Sequence, residues 1–154
     1  MIKLKPLLIS LAATLGAGGL AALLTRDSMQ EYAALNQPPL APPGWLFPVV
    51  WTILYVLMAV AAYLVFVYGS SGRSGALLLY GIQLVFNVLW TVFFFNLHWY
   101  LFSFLWLAAL WLLILLTTLR FWRERKSAGL LMLPYLAWVA FAGYLNLSIW
   151  LLNG

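Results

Sequence analysis

Aromatic rings and a few amides recur at helical spacing within stretches otherwise too apolar for polar chemistry. Trp138, Phe141, Ala142, Leu145 and Asn146 lie at i, i+3, i+4, i+7 and i+8, and Gln83, Asn87, Trp90 and Phe94 lie at i, i+4, i+7 and i+11. Phe47, Trp51 and Tyr55 form a third set, and Trp99, Phe102 and Trp106 a fourth. Residues three and four apart share one face of a helix, so each set is a stripe. Aromatic walls with a few amides suit a flat, largely apolar ligand, gripped by stacking and oriented by one or two hydrogen bonds. Trp51 lies about 9 Å along its helix from Trp45, deeper than an interfacial belt, at the helical rise per residue. Trp138 is likewise past the opening turns of its stretch. Trp45, Trp99, Tyr100, Trp122 and Trp150 suit interfacial anchors, and Gln83 and Asn87 also suit plain interhelical bonding.

Other chemistries lack their residues. There is no Cys, which removes disulfides and thiolate chemistry. The three acidic residues (Asp27, Glu31 and Glu124) and the single His98 make no protein metal site. No Asp, Glu or Lys falls within an apolar stretch, and the one Arg, Arg120, is the last residue of its stretch, so proton relay and ion coupling have no carrier. His98 falls in a break between two such stretches, where an imidazole is ordinarily solvated.

The elements that must position these stripes are set by composition. The chain has 154 residues, 66% of them hydrophobic and 7% charged. Soluble domains carry about one quarter charged residues, so this inventory makes no water-facing surface. Apolar runs of membrane length predict five helical spans, at 6–25, 46–68, 76–95, 99–120 and 129–152. A β-barrel would show alternation instead. The predicted fold is an all-α integral membrane bundle of five transmembrane helices, one domain over 1–154. Polar separators are expected at a long loop, 26–44, at Gly69 to Gly75, at Asn96-Leu97-His98 and at Phe121 to Ala128. Lys3, Lys5, Arg73, Arg120, Arg123, Arg125 and Lys126 fall at one end of such a bundle, and Arg26 at the other. That bias places the N-terminus in the cytoplasm and the long loop outside. The net charge of +5 arises in short loops, which is not the basic face of a nucleic-acid binder. Met1 to Ala22 can also be read as a signal peptide, although its apolar run is longer than a usual h-region, which favours a retained span.

The long loop is the stiffest part of the chain. Pro38, Pro39, Pro42 and Pro43 fix φ and lack amide hydrogens, so they form an extended connector. Pro48 falls in the first turn of the next helix, where its missing hydrogen costs nothing. Pro42 and Pro43 are therefore expected to act in a lid over an outward-facing cavity.

Three motifs then resemble the TspO/MBR family, that of the tryptophan-rich sensory protein, translocator protein and peripheral benzodiazepine receptor. They are PPLAPPGWLFPVVW over Pro38 to Trp51, NVLWTVFFF over Asn87 to Phe95, and LPYLAWVAFAGYLN over Leu133 to Asn146. The order, spacing and five-span frame agree along nearly the whole chain, and nine Trp fit the family name. The resemblance implies a homodimeric five-helix bundle in the cell membrane of a bacterium, with a cavity opening toward the first loop. It implies a receptor, sensor or carrier for porphyrin-type ligands such as protoporphyrin IX and haem, with no cofactor and no metal site of the protein's own. The implied ligand contacts are Tyr32, Trp51, Asn87, Trp90, Trp138, Ala142 and Leu145, to which the stripes add Tyr55 and Asn146. The alternative it raises is an enzyme that degrades porphyrin with light and oxygen, in which Trp51 and Trp138 would be catalytic. Animal members also bind sterol-like lipids and synthetic isoquinoline or benzodiazepine ligands. Their sterol motif is not met here, since Tyr144 is followed by LNLSIWLLNG, which has no base.

Overall fold

The computed structural model describes residues 2–154; Met1 lies outside them. The described residues form helices and no strand: α1 (Leu4–Thr25), a 3-10 turn (Arg26–Ser28), α2 (Met29–Ala33), α3 (Leu46–Tyr68), α4 (Arg73–Thr91), a π-helical turn (Val92–Asn96), α5 (Tyr100–Glu124) and α6 (Lys126–Asn153). Five of these segments are long and apolar enough to cross a membrane. With no water in a bilayer core, only internally hydrogen-bonded helices satisfy the backbone along such runs.

The helices form a ring in which α1 packs on α3 and α4, α3 on α6, α6 on α5, and α5 on α4. Small polar groups tie the first helix into it. Ser10 Oγ donates to the Ala59 carbonyl at 2.6 Å, and Thr14 Oγ1 lies 2.6 Å from the Tyr80 hydroxyl. Gly18 lets α1 approach α3 closely, because a Cβ there would collide with the Tyr55 ring. Gly129 does the same between α6 and α5, where a Cβ would stand 2.8 Å from Trp122 Cα.

Three separators differ from the sequence expectation, and in the one expected at Gly69 to Gly75 the last three residues already belong to α4. Residues 121–124 continue α5, and the turn into α6 is the single extended residue Arg125 (φ −161°). Arg, Glu, Phe and Trp are adequate helix formers, and long basic side chains can reach water from a helix end. The stretch is charged without being a loop. The expected loop of 26–44 is also partly helical, through the 3-10 turn and α2. By contrast α3 spans Leu46–Tyr68 as expected, with Pro48 in its first turn and Gly69 as its C-cap.

The basic residues do gather at one end, where Glu124 is held by the Ser70 N–H and hydroxyl at 2.8 and 2.7 Å. The first loop covers the opposite end. It is fastened to α6 by a reciprocal pair, Asn36 N–H to Asn153 Oδ1 (3.0 Å) and Asn153 Nδ2 to the Asn36 carbonyl (3.1 Å). Tyr144 donates to the Pro39 carbonyl at 2.6 Å.

Candidate functional site

Helices α3 and α6 run antiparallel, and their stripes meet in register. Phe47 lies edge-on to Trp138 (centroids 6.2 Å apart), and one turn deeper Trp51 lies edge-on to Tyr135 (6.3 Å). Trp51 also sits over Tyr55 at 5.6 Å, and Trp138 against Phe141 at 5.4 Å. Trp51 and Trp138 are half-buried, whereas Tyr55, Ala142, Leu145 and Asn146 are buried. The two tryptophans thus stand on one wall at adjacent depths, each in contact with the other helix's stripe. Small Ala142, one turn beyond Trp138, keeps bulk off that face of α6.

Beneath this wall runs a buried chain of hydrogen bonds. The Tyr55 hydroxyl donates to Asn87 Oδ1 (3.0 Å), Asn87 Nδ2 to the Tyr135 hydroxyl (2.8 Å), and that hydroxyl to Gln83 Oε1 (2.6 Å). Gln83 Nε2 ends the chain 4.0 Å from the Met58 sulfur. Three helices are joined with each hydroxyl partnered, so the floor of the wall is fixed. Asn87 is nearly inaccessible at 1% exposure, so it shapes this floor and reaches no open space.

A second cluster stands beside the first. Trp90 Nε1 donates to Asn146 Oδ1 at 3.0 Å, and Asn146 Nδ2 to the Tyr100 carbonyl at 2.8 Å. Trp90 stacks on Phe94, and Tyr32 comes down from α2 against Phe47 (6.2 Å), Phe94 (5.8 Å) and Phe95 (5.2 Å). Tyr32 therefore caps both clusters through Phe47 and Phe94. Pro42 is half-buried and Pro43 exposed, and the Pro43 carbonyl accepts from Leu46 N–H at 3.0 Å, leading the chain directly into α3.

The fourth stripe lies elsewhere. Trp99 and Phe102 are exposed, and Trp106 stacks on Phe86 at 4.2 Å and meets Phe93 edge-on at 5.1 Å. These rings form an outer patch between α4 and α5, away from Trp51 and Trp138. His98 is exposed and pairs with Glu31, its Nε2 lying 2.8 Å from Oε2.

One polar atom in the wall is left over. Trp138 Nε1 is buried and without a hydrogen-bond partner. Trp90, Trp106 and Trp111 each donate to an oxygen, at 3.0, 2.9 and 3.0 Å. Buried indole N–H groups ordinarily find such partners. An unused donor between edge-on and tilted rings can orient a planar molecule that brings an acceptor. The wall itself is closed by its own rings and by Tyr32. Open grooves of about 340 and 470 Å³ are lined by residues of α5 with α6 and of α1, and neither includes Trp51 or Trp138. A ligand at the wall must therefore displace the first loop.

Tyr135, the hub of the hydrogen-bonded chain, was not among the candidates from the stripe pattern. Extending the α6 stripe three residues upstream from Trp138 finds it. The fastenings at Asn36, Asn153 and Tyr144 carry no pattern in the sequence, since they join residues more than 100 positions apart.

Comparison with known proteins agrees with this architecture. The TspO/MBR family model matches residues 8–151. The tryptophan-rich protein TspO of Chlorobaculum tepidum is 42% identical over 126 residues, covering 79% of this chain and 78% of that protein. The protein of the same name from Archaeoglobus fulgidus is 36% identical over 153 residues, covering 99% of both chains. The translocator protein of Bos taurus is 34% identical over 140 residues, covering 86% of this chain and 81% of its own.

Proposed function

This chain belongs to the TspO/MBR family and is a multi-pass membrane protein, and from that premise we propose that it is a receptor, sensor or carrier for porphyrin-type ligands. The observation that carries the reading is the unpartnered Trp138 N–H, whose ring lies against Phe47 and Phe141, one turn from the Trp51–Tyr135 pair. A planar macrocycle stacks on such rings, and its carboxylate or carbonyl oxygen is the acceptor the indole lacks. Tyr32, Trp51, Tyr55, Trp138, Ala142 and Leu145 would shape the contact surface. Asn87, Trp90 and Asn146 would hold it in place from behind through the bonds described above. Pro42 and Pro43 would set the path of the loop that lifts to admit the ligand.

In a bacterial cell membrane the basic end would face the cytoplasm and the loop would face outward. Ligand would then enter from the outer side or from the outer leaflet. The family also supports association as a homodimer.

The test is a dark titration of the full chain in phosphatidylcholine nanodiscs with protoporphyrin IX, followed by tryptophan fluorescence. Saturable quenching at micromolar concentration is expected. Its absence would contradict the reading and leave a purely structural membrane protein. Illumination of the same complex separates binding from the enzymatic alternative. Loss of porphyrin absorbance with repeated turnover would assign catalysis, with Trp51 in contact with the oxidisable Tyr55 and Tyr135 rings.

A further inference from the structure

We propose that Glu31 and His98 form a pH-sensitive latch that holds the first loop closed over the aromatic wall. This inference rests on the reading of that loop as the cover of a ligand site. The loop is fastened at two places. On the α6 side the fastenings are neutral: the reciprocal Asn36–Asn153 pair and the Tyr144 bond to Pro39. On the opposite side, Ser28 Oγ donates to Asn96 Oδ1 at 2.6 Å, and Asn96 Nδ2 donates to the Leu24 carbonyl at 2.8 Å. Beside the apolar contacts of Tyr32 with Phe94 and Phe95, the other polar fastening on that side is the contact of 2.8 Å between His98 Nε2 and Glu31 Oε2. Of these, only the last joins two ionisable side chains, one of them an imidazole.

The backbone carries His98 to this position at some cost. Its φ is +58°, in the left-handed region that side chains other than glycine rarely adopt. The π-helical turn Val92–Asn96 precedes it, closed by the Leu97 N–H to the Val92 carbonyl at 3.0 Å. A further bond from Trp99 N–H to the Phe93 carbonyl, also 3.0 Å, brackets the residue. Strained residues and π-turns of this kind concentrate where a segment switches. Here they aim the imidazole at α2.

The groups facing His98 are Glu31 from α2 and the Tyr100 hydroxyl from α5, which lies 3.2 Å from Nδ1. Arg26 and Asp27, on the preceding turn, pair with each other at 4.0 Å and are largely exposed. A full ion pair needs the imidazole protonated and the carboxyl ionised. Closure and proton binding at His98 therefore favour each other. Loss of the imidazole proton, or protonation of the carboxyl, weakens the latch. Neutral His98 retains at most an ordinary hydrogen bond to Glu31. Both side chains are partly exposed, at 43% and 63%, so the effect is modest. An exposed ion pair supports a change of about two- to fivefold in the population of open loop.

The experiment needs no ligand, so its failure is distinct from failure of porphyrin binding. The chain has no Cys, so nitroxides can be placed on Ala34→Cys and Leu151→Cys, both at exposed positions. Distances between them are read in phosphatidylcholine nanodiscs from pH 5.5 to 8. The latch predicts that a second, displaced population grows about two- to fivefold as pH rises. His98→Gln and Glu31→Gln should each abolish that growth, while Asp27→Asn should leave it unchanged. A wild-type distribution independent of pH would overturn the proposal. So would pH dependence that persists in both His98→Gln and Glu31→Gln.

Discussion

Removing the Tyr135 hydroxyl tests whether the buried chain of hydrogen bonds fixes the floor of the wall. Tyr135→Phe keeps the ring, so it opens no cavity larger than one oxygen atom and leaves the edge contact with Trp51 possible. It deletes two bonds, the donation to Gln83 Oε1 at 2.6 Å and the acceptance from Asn87 Nδ2 at 2.8 Å. Interhelical hydrogen bonds in membranes average about 0.6 kcal/mol and reach about 1.7 kcal/mol. Gln83 and Asn87 are almost completely inaccessible, so neither freed group recovers its partner from water. The expected loss is about 1–2 kcal/mol of stability. Titration of bicelle-reconstituted protein with sodium dodecyl sulfate, followed by tryptophan fluorescence, measures it. Asn87→Ala combined with Tyr135→Phe should cost less than the two single changes added, because both remove the same bond. A Tyr135→Phe protein with the wild-type midpoint, or strict additivity in the pair, would refute this account of the floor.

Three other outcomes follow from the geometry. Replacing Pro42 and Pro43 with Gly should weaken porphyrin binding about three- to tenfold by loosening the loop's open states, with little change in the rings below; isothermal titration checks it, and unchanged affinity would remove the prolines from the lid. Gly129→Ala should cost about 1–3 kcal/mol of stability, because the added methyl meets the Trp122 backbone and side chain at 2.8 Å; thermal unfolding in detergent measures it. Ala142→Phe should fill the face beside Trp138 and abolish ligand quenching while the helical circular dichroism is retained.

The sequence made the bundle legible where punctuation and polarity agree. Pro48 and Gly69 bracket α3, and its bounds follow directly. The α5–α6 junction was hidden because FWRE is charged yet helix-compatible, and a one-residue turn leaves no compositional trace. The short α2 was hidden for the opposite reason, being too brief to show a helical period. The stripe pattern found Trp51, Tyr55, Trp138 and Asn146 on inward faces, yet grouped Trp99, Phe102 and Trp106 with them. In a bilayer the inward and lipid-facing sides are both apolar, so periodicity reveals a face without saying which way it points. Hydrogen-bond donors break that symmetry. The inward faces of α3, α4 and α6 carry Tyr55, Gln83, Asn87, Tyr135 and Asn146, whereas Trp99 and Phe102 sit among exposed apolar groups.

The most direct measurement of the central claim is the dark affinity for protoporphyrin IX of three variants, each with one tryptophan replaced, followed by Soret absorbance in nanodiscs. Trp138→Phe removes the unpartnered donor and part of the stacking surface, a loss of about 1–2 kcal/mol, or roughly five- to thirtyfold in Kd. Trp51→Phe should weaken binding through reduced stacking. Trp106→Phe, on the outer patch, should bind as the wild type does. Equal affinity in all three variants, or a loss confined to Trp106→Phe, would contradict a ligand site between α3 and α6.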